Sequence, residues 1–280
     1  MFWIRAATLQ IGSKKYNMNG LNFDFEIPFE DSTTLQTATV NIYNLSKSTR
    51  SNIRRGDAVI INAGYEEDVG SIFVGQVSSC SHTHQKTDWI TKLTATAAMK
   101  EWLSRKVNKT YNKGITAAEI IRDLLNIFGI EVGQLELSEN KVYTRGRVCS
   151  GKVKDILIQI VVNECKSRFL IRNGNIIISN PNTGINNGYV LSPESGLLNT
   201  SNEAEETVIA VGTDSQLSQT EKDEKGTYIS RACLLNYHIG PADVIQIKSK
   251  DLNGKFLVAG GKHTGNPKGE WKTELQLKPL

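Results

Sequence analysis

The fold is decided by the stretch PADVIQIKSKDLNGKFLVAGGKHTGNPKGEWKTELQLKP, residues 241–279. Two short apolar runs, at residues 244–247 and 256–258, lie on either side of Asn253-Gly254. An Asn-Gly pair between apolar runs predicts a hairpin turn, because both turn residues readily take a positive φ. The stretch therefore begins with two predicted antiparallel strands.

A third strand is predicted at the C-terminal end of the same stretch, after a loop from Gly260 to Gly269. Between Trp271 and Lys278, apolar or small side chains alternate with charged and amide side chains. Strict alternation is typical of a strand with one buried and one polar face. The resulting meander suits the end of a small barrel or sandwich, and it carries no recognisable catalytic motif. The pattern favours a structural building block over an enzyme.

Size and composition limit the possible classes of protein. A chain of 280 residues can form two or three domains with real cores. The net charge of +4, from 33 basic and 29 acidic residues, is too small to indicate a nucleic-acid reader. No apolar stretch reaches the ~18 residues that a membrane helix needs. The N-terminus soon turns polar and lacks a secretion signal, so we expect a protein that folds in a cytoplasm without membrane anchoring.

The first predicted domain, residues 1–107, is rich in strands. A helix is predicted from an N-cap at Ser46 to about Ile53, with Gly56 as a left-handed stop. The strands are predicted at 21–27, 38–45, 59–65, 71–77 and 89–97. Several short strands separated by turn signals suggest a barrel or sandwich.

The middle domain, residues 108–188, is predicted to be a compact α+β unit. Thr116 and Glu119 form a capping box that starts a helix ending at Gly129. A second helix is predicted from about Lys152 to Lys166. A hairpin over residues 169–179 follows, and then a linker over residues 181–188.

The last predicted domain, residues 189–280, is again β-rich. Strand signals appear at 189–191 and 207–211, and the polar stretch 213–226 is predicted to be a functional or disordered loop. The expected fold class is α+β and mainly β. Two antiparallel β-barrel domains are expected to flank the small helix-helix-hairpin domain.

The order of these motifs resembles the baseplate hub proteins of phage tails and phage-like bacteriocins. Val40–Val77 contains five motifs in a fixed order. They are a strand, an Asn-Leu-Ser helix start, Gly-Asp before a strand, Ala-Gly-Tyr, and a strand with Phe-Val-Gly. This resembles the first tube-forming domain of the hubs. Gly261–Thr273 is similar to their closing strand-loop-strand, and Ser195–Leu198 to the entry into their second barrel.

The resemblance implies a structural role and particular partners. In such hubs, three subunits with two similar barrels each make a ring of six modules, which matches a hexameric tail tube to a trimeric spike or tip. We therefore expect a homotrimer in the baseplate of a virion or phage-like particle. Its partners would be the tail tube, the spike and other baseplate proteins. DNA or tape-measure protein would pass the lumen without sequence-specific binding. Larger relatives add a cell-wall hydrolase after the second barrel; this chain ends with the barrel, so no lytic activity is expected.

Cys80, His82 and His84 form the most site-like motif, since strand spacing would put all three on one face. A structural zinc site usually has a fourth ligand, and no second Cys/His cluster appears, so no metal is predicted. The scattered cysteines Cys149, Cys165 and Cys233 are predicted, like Cys80, to be idle thiols without disulfides.

No catalytic residue or cofactor is predicted. Cys233 with His238 or His263 lacks a nucleophile signature, and both histidines are predicted to lie at the surface or in an interface. The sequence has no phosphate-binding loop and no dinucleotide fingerprint.

The aromatic residues and one basic pair leave two alternatives open. Tyr65, Trp89, Trp102 and Trp271 could stack on sugars, which would make the chain a carbohydrate-binding adhesin. For Trp271, its alternation with leucines favours a core or interface position. Arg54-Arg55 is predicted to complement the negative end of the short helix, with a contact to passing DNA as the alternative.

Overall fold

The structure, a computed structural model, describes residues 4–97, 104–128, 132–172, 174–198 and 228–280. Within them the protein is mainly β with a few short helices, as the sequence predicts. The strands are β1 (Arg5–Ile11), β2 (Lys14–Asn17), β3 (Phe23–Glu30), β4 (Thr37–Tyr43), β5 (Ala58–Tyr65), β6 (Asp68–Gln85), β7 (Asp88–Thr96), β8 (Lys106–Tyr111), β9 (Ile115–Thr116), β10 (Val132–Leu135), β11 (Val142–Tyr143), β12 (Arg147–Lys152), β13 (Arg168–Arg172), β14 (Asn175–Ser179), β15 (Ile185–Leu191), β16 (Ile229–Leu234), β17 (Asp243–Lys248), β18 (Asn253–Gly265) and β19 (Trp271–Pro279). The helices are α1 (Lys47–Asn52), α2 (Ala117–Phe128) and α3 (Val153–Ile158), and α3 continues as a π-helix over Gln159–Glu164.

The strands from both ends of the chain form one sheet. Its order is β15-β17-β18-β3-β4-β7-β6-β5-β1-β2, with β19 on β18 and β16 on β19. The two predicted β-rich ends are therefore not separate sheets, because β3 of the first pairs antiparallel with β18 of the last from Gly260↔Glu30 to Gly265↔Phe25. We call this pairing the β3–β18 seam.

The seam corrects the predicted loop from Gly260 to Gly269. β18 runs on to Gly265, and only the residues between it and β19 form a loop. Along Gly260–Gly265 the strand is paired on both sides, with β3 and with β19. Gly261 and Gly265 fit in this central strand because neighbouring aromatic rings fill the space that their side chains would take. A Cβ at Gly265 would overlap the ring of Phe25, and one at Gly261 would overlap the ring of Phe29.

Two predicted turns are also placed differently. Asn253 is the first residue of β18 and lies opposite Lys248, so Asn253-Gly254 is not the hairpin turn. The connection is instead closed by Ser249, whose hydroxyl accepts from the backbone N–H of Leu252 at 3.0 Å. In the first predicted domain, α1 ends at Asn52, the next residue Ile53 is extended, and Gly56 takes its positive φ in the following turn.

The predicted N-terminal caps at Ser46 and Thr116 are confirmed. The Ser46 hydroxyl accepts from the N–H of Thr49 at 3.2 Å at the start of α1. At the start of α2, the N–H of Thr116 donates to Glu119 at 2.8 Å, and the N–H of Glu119 donates to the Thr116 hydroxyl at 3.4 Å. These bonds satisfy N–H groups that a helix start leaves without partners.

The middle of the chain has two helices and a hairpin, as predicted, although the predicted helix end at Gly129 lies outside the described residues. The second helix loosens into a π-helix before Cys165, whose N–H donates to the carbonyl of Ile160 at 2.9 Å. β13 and β14 pair antiparallel, and β10 adds to β14 in parallel. Part of the predicted linker is the strand β15, which pairs in parallel with β17. The strand predicted at 207–211 and the polar loop at 213–226 lie outside the described residues.

Among the described residues, three buried clusters hold the fold together, and two of them cross from one end of the chain to the other. The N-terminal core includes Leu235 and Trp271 from the last third of the chain. The C-terminal core includes Phe29 from β3. The middle core is formed by residues between Tyr111 and Ile178. The division into domains at 1–107, 108–188 and 189–280 remains a prediction, which the middle core supports.

Candidate functional site

The motif of Cys80, His82 and His84 lies on the exposed outer part of β6. The Cys80 Sγ is 4.0 Å from His82 Nε2, and His82 Nδ1 lies 3.1 Å from the hydroxyl of Thr91. The ring of His84 packs against Trp89 at 5.1 Å between centroids. Across the described ranges, no group of three or more His, Cys, Asp or Glu side chains is placed to hold a metal ion.

The other three cysteines are buried free thiols. Burial raises the pKa of the Cys149 and Cys165 thiols, and it raises the pKa of Cys233 to about 12. A nucleophilic cysteine requires the thiolate form, which these surroundings disfavour. The thiols are therefore placed as small core side chains.

The two histidines of the C-terminal part have different environments. His238 is exposed, and its Nε2 lies 3.4 Å from Asp68. The prediction of a surface or interface position is wrong for His263, which is only 4% exposed. Its Nδ1 lies 2.9 Å from the Thr273 hydroxyl, and its ring packs 4.7 Å from that of Phe29. Because this part of β18 is a strand in the β3–β18 seam, the inward-facing side chain of His263 has no access to solvent.

Burial, together with the positive charge of Arg172, lowers the pKa of His263 to about 3. An unfolded chain binds this proton near pH 6.5, so between that pH and about 3 the unfolded state holds one proton more. The contribution of His263 to stability therefore falls as the pH falls, by about 2 kcal/mol from pH 7 to pH 5.

We expect His263→Gln to reduce the loss of unfolding free energy between pH 7 and pH 5 by about 2 kcal/mol relative to wild type. Denaturant unfolding at both pH values measures this difference. Comparing the two proteins removes the contributions of Asp31 and Asp243, because burial raises the pKa of both carboxyls and they titrate in either protein. Equal losses in the two proteins would contradict the assignment of His263 as a buried neutral side chain.

We call the predicted domains 1–107, 108–188 and 189–280 the N-terminal, middle and C-terminal units. A buried ion pair joins the middle unit to the end of β3. Both carboxylate oxygens of Asp31 accept from Nε of Arg168 at 2.7 Å, and Arg168 is 4% exposed at its side chain. Its guanidinium also donates to the hydroxyl of Ser179 and to the carbonyls of Asn180 and Pro181. One arginine thereby connects the end of the hairpin, the start of the predicted linker and the N-terminal unit.

A second ion pair joins the middle unit to β17. Arg172 Nη1 donates to Asp243 at 2.8 Å, and Nη2 donates to the carbonyl of His238 at 3.3 Å. The other Asp243 oxygen accepts from the N–H of Gly240 at 2.8 Å. A Cβ at Gly240 would lie 2.6 Å from the guanidinium carbon of Arg172. We call the pairs Arg168–Asp31 and Arg172–Asp243 the interunit joint.

The N- and C-terminal units also meet through a polar contact outside the sheet. The Tyr237 hydroxyl donates to Asp68 at 2.6 Å, and its ring lies 3.9 Å from that of His238. The ring packs on Gly70, where any Cβ would overlap it. With the seam and the interunit joint, this contact makes the described parts of the chain a single interlocked body.

The aromatic residues considered for sugar binding are dispersed. Tyr65 and Trp271 are buried in the N-terminal core, and Trp102 lies outside the described residues. Trp89 is 40% exposed at the end of the β6–β7 hairpin, with the guanidinium of Arg50 3.7 Å from its ring centroid.

The basic pair at the end of α1 is consistent with the predicted helix-terminal role of one member. Arg54 donates to the carbonyl of Ser51 in the last turn of the helix. Arg55 is exposed.

Through the described parts of the chain, no helix combines the length and the apolar character required to cross a bilayer.

Comparison with known proteins places this architecture among tail proteins. No protein-family model and no curated protein sequence matches the chain. Among solved structures, it is similar to the 43 kDa tail protein of prophage MuSo2 from Shewanella oneidensis, with a TM-score of 0.68, 11% identity and coverage of 98% of this chain and 97% of that one. A tail protein from Neisseria meningitidis gives a TM-score of 0.65 at 12% identity, covering 99% and 97%.

A third similar structure comes from a secretion apparatus. The E. coli c3393 protein, a type VI secretion component described as similar to the T4 tail proteins gp27 and gp5, gives a TM-score of 0.62 at 11% identity. The match covers 97% of this chain and 76% of that one. These likenesses extend through all three predicted domains, and we conclude that the chain has the fold of phage tail proteins.

Proposed function

We propose that this chain is a structural hub protein of a phage tail or a related phage-like particle. The observation that carries the proposal is the near-complete overlap, 98% of this chain on 97% of the other, with a prophage tail protein. A match over the whole length supports a shared architectural role better than one restricted to a common barrel would. Since the neighbours are described as tail proteins, we infer a non-enzymatic role and a location in the particle.

The finer part of the proposal is a trimeric ring that joins a hexameric tail tube to a trimeric spike or tip. It is supported by two β-rich units on one chain, joined by the seam and the interunit joint. In a closed ring with threefold symmetry, two such units per chain give six modules. These contacts matter because a freely flexible connection could not hold two modules in register with a tube.

The partners inferred for this ring are the tail tube, the spike and other baseplate proteins. DNA or tape-measure protein would pass through its centre without base recognition. The modest net charge of +4 agrees with passage rather than tight binding, because strong DNA binding requires many neutralised phosphates.

The proposal predicts that the chain associates into trimers, most completely when the tail tube or spike protein is present. Light scattering coupled to size exclusion, over a range of concentrations and with each partner added, measures the mass. A strictly monomeric mass under all these conditions would count against a hub.

A second candidate function is carbohydrate binding at the exposed Trp89 beside Arg50. Stacking on sugar rings requires an accessible aromatic face, which Tyr65 and Trp271 do not offer. Binding of monomeric protein to a glycan array, lost in Trp89→Ala, would favour this candidate over the hub.

A further inference from the structure

Strands β8 and β12 form a two-stranded ribbon that projects one fully exposed face. Within the described residues the two strands pair with each other and with no third strand. The opposite face contributes Tyr111 and Cys149 to the middle core. The exposed face, which we call the outer ribbon face, consists of Lys106 opposite Lys152, Asn108 opposite Ser150, and Thr110 opposite Val148.

One end of the outer ribbon face concentrates positive charge. Lys106 and Lys152 lie directly opposite each other, and like charges in this position destabilise a sheet. Neither lysine has an ion pair among the described side chains. The described acidic groups close in sequence or register have other partners, since Asp123 is paired with Lys109 at 2.7 Å and Asp155 lies 3.9 Å from Lys154.

The other end of the outer ribbon face is apolar. Val148 is 67% exposed, more than any other large hydrophobic side chain in the described parts of the chain. A surface with two unneutralised lysines and an exposed valine fits a partner that carries acidic groups beside an apolar one.

The turn between β5 and β6 has the complementary character. Glu66 and Glu67 are exposed, and neither forms an ion pair with a described side chain. Val69, just beyond them, is 39% exposed. The turn is held in place, because the N–H of Glu66 donates to the carbonyl of Ile4 at 3.0 Å and Asp68 accepts from the Tyr237 hydroxyl at 2.6 Å. We call this segment the acidic turn.

We propose that the outer ribbon face of one subunit binds the acidic turn of a second copy of this chain. The proposal rests on the trimeric ring proposed above and assigns one of its contacts. A cyclic trimer uses two different patches on every subunit, and the ribbon and the acidic turn belong to different parts of the chain. Charge complementarity favours a second copy as the occupant, because one chain carries both unpaired charge clusters and an exposed valine in each.

Charge reversal tests this contact. Lys106→Glu with Lys152→Glu reverses the charge of the outer ribbon face, and Glu66→Lys with Glu67→Lys reverses the charge of the acidic turn. A quadruple variant carries all four substitutions. Sedimentation equilibrium gives the association constant of each, and the matched control is Lys248→Glu with Lys250→Glu, two exposed lysines at the β17–β18 connection. We expect each interface reversal to weaken association at least tenfold. The quadruple variant should recover an association constant within about threefold of wild type, and the association constant of the control should change little.

The outcomes separate this proposal from the ring itself. Trimers that form equally well in wild type and both interface reversals would overturn the contact and leave the ring intact. A wild type that never associates, even with tube or spike protein, would overturn both. Loss of association in the two interface reversals, without recovery in the quadruple variant, would overturn the pairing of these two patches. DNA binding that depends on Lys106 and Lys152, with unchanged trimers, would assign the ribbon to nucleic acid instead. Thermal unfolding of every variant checks that the fold is intact.

Discussion

Replacing Arg168 by alanine is expected to lower the free energy of unfolding by about 3 to 5 kcal/mol. The substitution leaves the Asp31 carboxylate without the guanidinium that donates to both of its oxygens. It also removes the donors to Ser179, Asn180 and Pro181. An uncompensated, largely buried charge is costly, whereas an exposed pair contributes little. Equilibrium denaturation of the wild type and the variant measures the loss.

Two variants control for the interpretation of this loss. Arg168→Met combined with Asp31→Leu removes both charges and should cost clearly less than Arg168→Ala alone. Lys109→Ala, which breaks the exposed pair with Asp123, should cost less than about 1 kcal/mol. A loss in Arg168→Ala no larger than that in Lys109→Ala would show that the Arg168–Asp31 pair of the interunit joint does not stabilise the fold.

Gly261→Ala is expected to destabilise the protein by about 3 kcal/mol, because overpacking a well-filled core forces backbone or side chains to move. The added Cβ would overlap the carbonyl oxygen of Glu274 on β19 and the ring of Phe29 on β3. The carbonyl is part of the backbone of a paired strand and cannot swing aside. Thermal or denaturant unfolding gives the size of the effect.

Gly20→Ala is the matched control for this substitution. Its added Cβ would lie 3.8 Å from the nearest atom, the Asn17 carbonyl oxygen, which is ordinary contact. It should be neutral or slightly stabilising, because alanine restricts the unfolded chain more than glycine does. The same small effect of both substitutions would contradict the close packing of β3, β18 and β19 at Gly261.

Features set by neighbouring residues could be predicted from the sequence. The caps at Ser46 and Thr116 depend on side chains three positions away, and the structure contains both. The alternation of β19 gives buried Trp271 and Leu275 as expected, because period-two burial is a property of one strand. The mainly β fold class followed from several such local patterns.

Features that depend on distant pairing could not be predicted in the same way. Glycines at positions 260, 261 and 265 carry no side-chain periodicity, so the pattern predicts a loop for the second half of β18 and does not indicate that His263 is buried. The partner of Arg168 lies 137 residues earlier in the chain. A run of Gly-Gly-x-His flanked by strand signals was the one available hint, since glycine within a strand often marks close approach by a neighbour.

The proposed role depends most on how subunits assemble, and electron cryomicroscopy of this protein bound to its tail tube tests that directly. We predict a ring of three subunits in which the N- and C-terminal β units alternate as six similar modules under the tube. A ring of six subunits, or a single β unit per subunit lining the channel, would contradict the account.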